Sequence, residues 1–146
     1  MWSTRIMLFT RILVPMDLSE PAVEALRLAA SIAMRVGARV TVLHVDTSPL
    51  YGDAHPEGVH RTVAAEVTNS VGVEVVFESG DPAACINRLA LDGDHDLVVM
   101  GTHGKTGLER VVLGSVAETV VRTCAVPVLV THDRRPSKNA RGDLDS

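Results

Sequence analysis

Short apolar runs alternate along this chain with stretches in which apolar residues recur every three or four positions. Arg11-Ile12-Leu13-Val14-Pro15-Met16 is an almost unbroken apolar run, the pattern of a strand covered on both faces. Ser19 then predicts a helix N-cap with Pro21 in the first turn. Val23, Leu26, Ala30, Ala33 and Val36 repeat at helical spacing up to Gly37, a C-cap. Val40 to Val45 is a second strand, and residues 46–58 read as a loop. Val59, Val63 and Val67 form a weaker helical stripe, interrupted by Asn69-Ser70 and Gly72. Val73 to Phe77 is a third strand. Asp81-Pro82 opens a helix whose Ile86, Leu89 and Ala90 face inward. Leu97 to Met100 is a fourth strand, Ser115 to Thr123 a helix, and Val126 to Val130 a fifth strand. The polar tail from Asp133 is expected to fray.

Strands that alternate with helices imply an α/β fold with a parallel sheet covered on both faces. In such sheets ligands bind beyond the carboxyl ends of the strands, where strand order reverses. If strands one and four are neighbours, Asp17, Val45 and Gly101 converge there. The 146 residues suit one domain, with its core at about 10–132.

Composition narrows the partners. A formal charge of −4 provides no electrostatic footprint for nucleic acid or an anionic membrane surface. No segment approaches the ~18 apolar residues of a membrane span. The apolar run Ile6 to Phe9 is too short for a signal peptide, so the cytoplasm is the default compartment, and Met7 is an alternative start to Met1. Cys85 and Cys124 form neither a CxxC nor a zinc spacing and read as small buried hydrophobes.

Candidate chemistry concentrates in Met100 to Glu118 (MGTHGKTGLERVVLGSVAE). Its Gly104-Lys105-Thr106 invites a P-loop reading, but GxxxxGK[ST] would need glycine at position 99, which is Val inside the fourth strand. The GxGxxG spacing is absent as well. What stands is Gly101-x2-Gly104-x9-Gly114-Ser115. Gly101 lets the backbone approach a ligand closely, and Gly104 can turn the chain. Ser115-x-x-Glu118 predicts a capping box, with Ser115 marking the helix start. The free amides of that helix make an anion site. Spacing alone leaves a polyphosphate site and a ligand-free loop with a capped helix equally open.

From about Thr10 to His132 the chain resembles the universal stress proteins. RILVPMDLSEPAVEAL resembles their first strand, acidic residue and Ser-led helix; VTVLHV their second strand with its penultimate His; GDPA their third-helix entry; and DLVVMGTHGKTGLERVVLGSVAETVVRTCAVPVLV their C-terminal half. The glycine pattern resembles that of the family's ATP-binding branch. The resemblance implies a flavodoxin-like, adenine-nucleotide α-hydrolase-like three-layer sandwich with a five-stranded parallel sheet, order 3-2-1-4-5. It implies ATP as ligand, with ADP or AMP as alternatives, carried with Mg²⁺ or Mn²⁺. Pro15 and Asp17 would lie near the nucleoside, Asp17 close to the ribose and the metal, and Val45 would meet adenine through its backbone. Gly101, Thr102, His103, Gly104, Lys105, Thr106 and Gly107 would wrap ribose and phosphates. Gly114, Ser115, Val116 and Ala117 would hold the terminal phosphates. The resemblance also implies a homodimer through the strand at 126–131, where Val126, Val128 and Val130 would otherwise leave a sticky edge. A charge at Val128 would weaken such a dimer.

The remaining polar residues read more plainly. Asp17 stands alone between Met16 and Leu18, without the acidic cluster of a phosphoacceptor site. His44 is expected to be a satisfied core histidine, His103 a ribose or phosphate neighbour, and Asp92 to Asp96 a solvated turn at the opposite edge of the sheet. His55 and His60 lack the spacing of paired metal ligands. Lys105 is either a phosphate partner or simply exposed. No catalytic set can be assembled. The expected protein is a cytoplasmic, nucleotide-dependent regulator of the stress response with an unidentified protein partner, at most a slow ATPase. A weak ATPase or phosphotransferase, a nucleotide-independent dimeric interaction module and a flavin binder remain alternatives.

Overall fold

The computed structural model describes residues 9–47, 56–102 and 114–132. The elements run β1 (Arg11–Pro15), α1 (Glu20–Val36), β2 (Arg39–Asp46), α2 (Pro56–Glu66), β3 (Val73–Ser79), α3 (Pro82–Asp92), β4 (Leu97–Gly101), α4 (Ser115–Thr123) and β5 (Val128–Thr131). The strands form one parallel sheet in the order β3-β2-β1-β4-β5.

Alternation along the strands divides the core. Ile12, Val14, Val40, Val42 and Val99 pack with Leu26 and the alanines of α1 on one face. Leu13, Leu43, Val98 and Met100 pack with Ile86 of α3 and Val120 of α4 on the other. Both faces of β1 are therefore dry, which is why its sequence is a continuous apolar run. The small residues Ala22, Ala25, Ala29, Ala30 and Ala33 let α1 lie close against the sheet.

Local signals set most helix ends. Ser19 caps α1 by accepting from the Ala22 amide at 3.3 Å, and Gly37 closes it in the left-handed region at φ 74°. Asp81 caps α3 by accepting from the Ala84 amide at 2.9 Å. Three boundaries differ from the periodicity. β5 begins at Val128, because Pro127 has no N–H and contributes only its carbonyl, which accepts from Val98. β3 continues to Ser79, paired along its whole length with β2. α2 starts at Pro56, earlier than its valine stripe suggests.

The turn from Asp92 to Asp96 is not the solvated loop that its composition suggests. His95 is only 4% exposed. Its Nδ1–H donates to the Leu89 carbonyl at 3.0 Å, and Nε2 accepts from the Thr41 hydroxyl at 2.9 Å. Burial pushes the imidazole below its ordinary pKa, so the neutral form is held. Asp96 accepts from the Thr10 amide and hydroxyl and from the Arg11 amide, pinning the start of β1 beside β4. This turn is structural and lies at the amino ends of the strands.

Candidate functional site

The opposite ends of the strands are open. β1 pairs with β4 only through Ile12↔Leu97 and Leu13↔Val98, although its ladder with β2 runs to Pro15↔Leu43. Pro15 has no N–H with which to extend the pairing toward β4. The sheet therefore splits where strand order reverses, and a cavity of about 400 Å³ occupies the split. Its volume is that of a small-molecule site.

Of the residues expected here, Pro15, Asp17, Val45, Gly101, Gly114, Val116 and Ala117 line this cavity. They come from the ends of three strands and the start of α4, so the fold brings together residues as far apart in the chain as Pro15 and Ala117. Periodicity made Ile86 an inward residue of its helix but did not place it with Leu43 and Met100 on the cavity floor, or Pro82 and Ser19 at the rim. Met100 and Leu43 share the α3/α4 face, so strand alternation carried that signal once the strand order was known.

Each wall has its own local chemistry. Asp17 accepts from the Ser19 amide at 3.0 Å and from the Ser19 hydroxyl, which in turn accepts from the first turn of α1. Leu18, between them, lies in the left-handed region at φ 66°, a costly conformation for a branched side chain. The carboxylate is thus held in a tight turn at the cavity rim.

Gly101 is required for a different reason from the one its spacing suggests. A Cβ there would lie 2.4 Å from the Pro21 carbonyl carbon and oxygen. The close approach is to the backbone of α1, which fixes α1 against the end of β4. Thr102 is 1% exposed and is not part of the cavity lining. Its amide donates to the Thr131 carbonyl at 2.8 Å and its hydroxyl to the same oxygen at 3.2 Å. His103, Gly104, Lys105, Thr106 and Gly107 lie outside the described residues.

The start of α4 corrects the capping box. Gly114 is the N-cap, extended at φ −59° and ψ 157°, and its carbonyl accepts from the Glu118 amide at 2.9 Å. Ser115 is already helical, one position too late for its hydroxyl to reach back over the first turn. The helix consequently has no side-chain cap. The amides of Ser115, Val116 and Ala117 have no acceptor within the helix, and Val116 and Ala117 face the cavity wall. Uncapped amides at the positive end of a helix suit an anion.

The second-strand wall carries backbone polarity. Arg39 donates to Thr10 and Leu43 accepts from Met16, whereas Val40 and Asp46 bond toward β3. Odd-numbered residues of β2 therefore direct N–H and C=O toward β1. By that alternation the backbone groups of Val45 point past the end of β1, which stops at Pro15. His44 is half-buried, and its Nδ1–H donates to the Met16 carbonyl at 2.7 Å. Among the described residues no group of three His, Cys, Asp or Glu side chains could hold a metal. No helix there is long and apolar enough to cross a membrane. Cys85 and Cys124 are unbridged, and burial pushes the Cys85 thiol up.

Comparison with known proteins agrees with this architecture. The model of the universal stress protein family matches residues 8–132. A universal stress protein of Methanocaldococcus jannaschii is 36% identical, covering 90% of this chain and 85% of the relative. The solved structure of the hypothetical protein MJ0577 superposes with a TM-score of 0.75 at 28% identity, covering 88% of this chain and 99% of that one. A universal stress protein crystallised in complex with cAMP superposes with a TM-score of 0.63 at 27% identity, covering 86% and 98%. The glycine spacing, the 3-2-1-4-5 sheet and a family match over most of the length agree: this chain belongs to the universal stress protein family.

Proposed function

We propose that this protein binds an adenine nucleotide, with ATP the first ligand to test and ADP or AMP the alternatives, and that the bound state regulates a stress response. The observation that carries the reading is the cavity at the strand-order reversal, apolar on its floor and walled at one end by the first turn of α4, where Gly114 provides no side-chain cap. A purine ring suits Leu43, Ile86 and Met100, and the Val45 backbone offers it a donor and an acceptor. Val116 and Ala117 would hold phosphate through their amides, joined by the Ser115 hydroxyl. Asp17 would meet the ribose. A structural relative crystallised with cAMP favours an adenine base over a flavin.

Mg²⁺ or Mn²⁺ would arrive with the phosphates, since the described residues offer no metal cage of their own; Asp17 is the carboxylate nearest that role. No described residue is assigned as a general base, and binding rather than rapid hydrolysis is the expected activity. Bound nucleotide would act by stabilising one conformation of the protein. The exposed edge of β5 would pair two copies into a homodimer. Calorimetric titration with ATP and Mg²⁺ tests the reading, after any co-purified nucleotide has been identified, with ADP, AMP, cAMP and GTP beside it. Saturable binding of adenine nucleotides but not GTP is expected. Absence of binding in nucleotide-free protein would overturn the reading and leave a dimeric interaction module. Hydrolysis at an ordinary ATPase rate would favour an enzyme.

A further inference from the structure

The β1–β2 ladder stops one rung before its pattern would. The bonds between the two strands run from Arg39 donating to Thr10 up to Met16 donating to Leu43 at 2.8 Å. In a parallel pair, the next rung is the Val45 amide donating to the Met16 carbonyl. Among the described residues that rung is not made. The Met16 carbonyl accepts instead from Nδ1 of His44, at 2.7 Å. A carbonyl can only accept, so His44 carries its proton on Nδ1. The ring is steadied by Phe77, its partner across the β2–β3 ladder, in an edge-on contact at 6.1 Å between centroids.

We infer that His44 is a positioning residue for the nucleotide site: by taking the Met16 carbonyl it keeps the Val45 amide out of the sheet and available to a ligand. This rests on the nucleotide reading above and extends it. Left to the ladder, the Val45 N–H and the Met16 carbonyl would satisfy each other. An acceptor on the base would then have to compete with a bond already formed. The imidazole satisfies the carbonyl from the side and ends the sheet at Pro15. The same hydrogen bond ties the residue before Asp17 to the residue before Val45, so both walls of the cavity share one anchor.

The test compares the wild type with His44→Leu, which removes the donor, and His44→Asn, whose amide N–H can stand close to the place of Nδ1–H. The first readout needs no nucleotide: hydrogen exchange at the Val45 amide in ligand-free protein. His44→Leu should slow exchange at Val45 as the rung closes, and His44→Asn should leave it as in the wild type. The second readout is ATP affinity by calorimetry, expected to fall roughly three- to tenfold in His44→Leu and to recover in His44→Asn. A merely structural hydrogen bond predicts the opposite exchange result, because its loss frays the strand end. Faster or unchanged exchange at Val45 in folded His44→Leu overturns the inference, as does an asparagine variant that behaves like the leucine one. If the wild type binds no nucleotide, the nucleotide reading fails and the exchange result alone decides whether His44 holds the rung open.

Discussion

Replacing Gly114 with aspartate should stabilise α4 and weaken nucleotide binding together. Gly114 occupies the N-cap with φ −59° and ψ 157°, angles open to any L residue, and the helix has no side-chain cap. An aspartate there would accept from the amides of Val116 or Ala117, the same donors assigned to phosphate. A side-chain cap in place of glycine, with a negative charge at the helix N-terminus, contributes about 0.5–1 kcal/mol. In a domain of this size that raises Tm by roughly 1–4 °C. A phosphate would lose at least one charge-assisted hydrogen bond, about 1.5–3 kcal/mol, and meet a carboxylate as well. ATP affinity should therefore fall at least about tenfold, with adenosine affected far less. Differential scanning calorimetry and titration with ATP and adenosine read both effects on one preparation. A more stable variant with unchanged ATP affinity would refute the assignment of phosphate to α4. Equal loss of ATP and adenosine would refute it too, by showing that the whole cavity had changed.

Other expectations follow from the packing. Gly101→Ala sets a Cβ 2.4 Å from the Pro21 backbone, which cannot yield as a side chain does, so a loss of roughly 1–3 kcal/mol or more is expected in urea unfolding. His95 is held neutral by burial, so the unfolded chain binds more protons below the ordinary imidazole value of about 6.5. Its contribution to stability should be complete above that pH and decline as pH falls toward the lower folded value; the urea midpoint of His95→Gln, followed from neutral to acid pH, should decline less steeply. Leu129 is 38% exposed on the edge strand β5, whereas Val128 packs partly on the core. Leu129→Lys should shift the sedimentation profile toward monomer without lowering Tm, and an unchanged profile would count against pairing through β5.

Much of the fold was legible because its determinants are local. The runs around Ile12, Val42 and Val98 are apolar on both faces, and only a sheet covered on both sides accommodates that. Ser19, Gly37 and Asp81 act on amides and carbonyls within four residues, so their roles can be read without knowing what the helices touch. The Ser115-x-x-Glu118 pattern misled by one position. Gly114 is extended and its carbonyl already receives the first helical bond, so the serine enters the helix and the N-cap position holds no side chain to cap it.

Residue type and spacing determined the strands, most helix ends and the glycine pattern of the site. Tertiary structure decided what those residues do. Gly101 is small because α1 crosses it, a contact made by Pro21, eighty positions away in the chain. His95 is buried because Thr41 and Leu89 converge on it, although its neighbours in sequence are aspartates. The cavity exists because β1 and β4 part after Leu13↔Val98, and that depends on strand order, which no local signal encodes. Hydrogen bonds along a helix join near neighbours in sequence, whereas those between parallel strands join segments separated by a whole helix. The open ladder beside His44 is therefore a property of two strands brought together, not of either one alone.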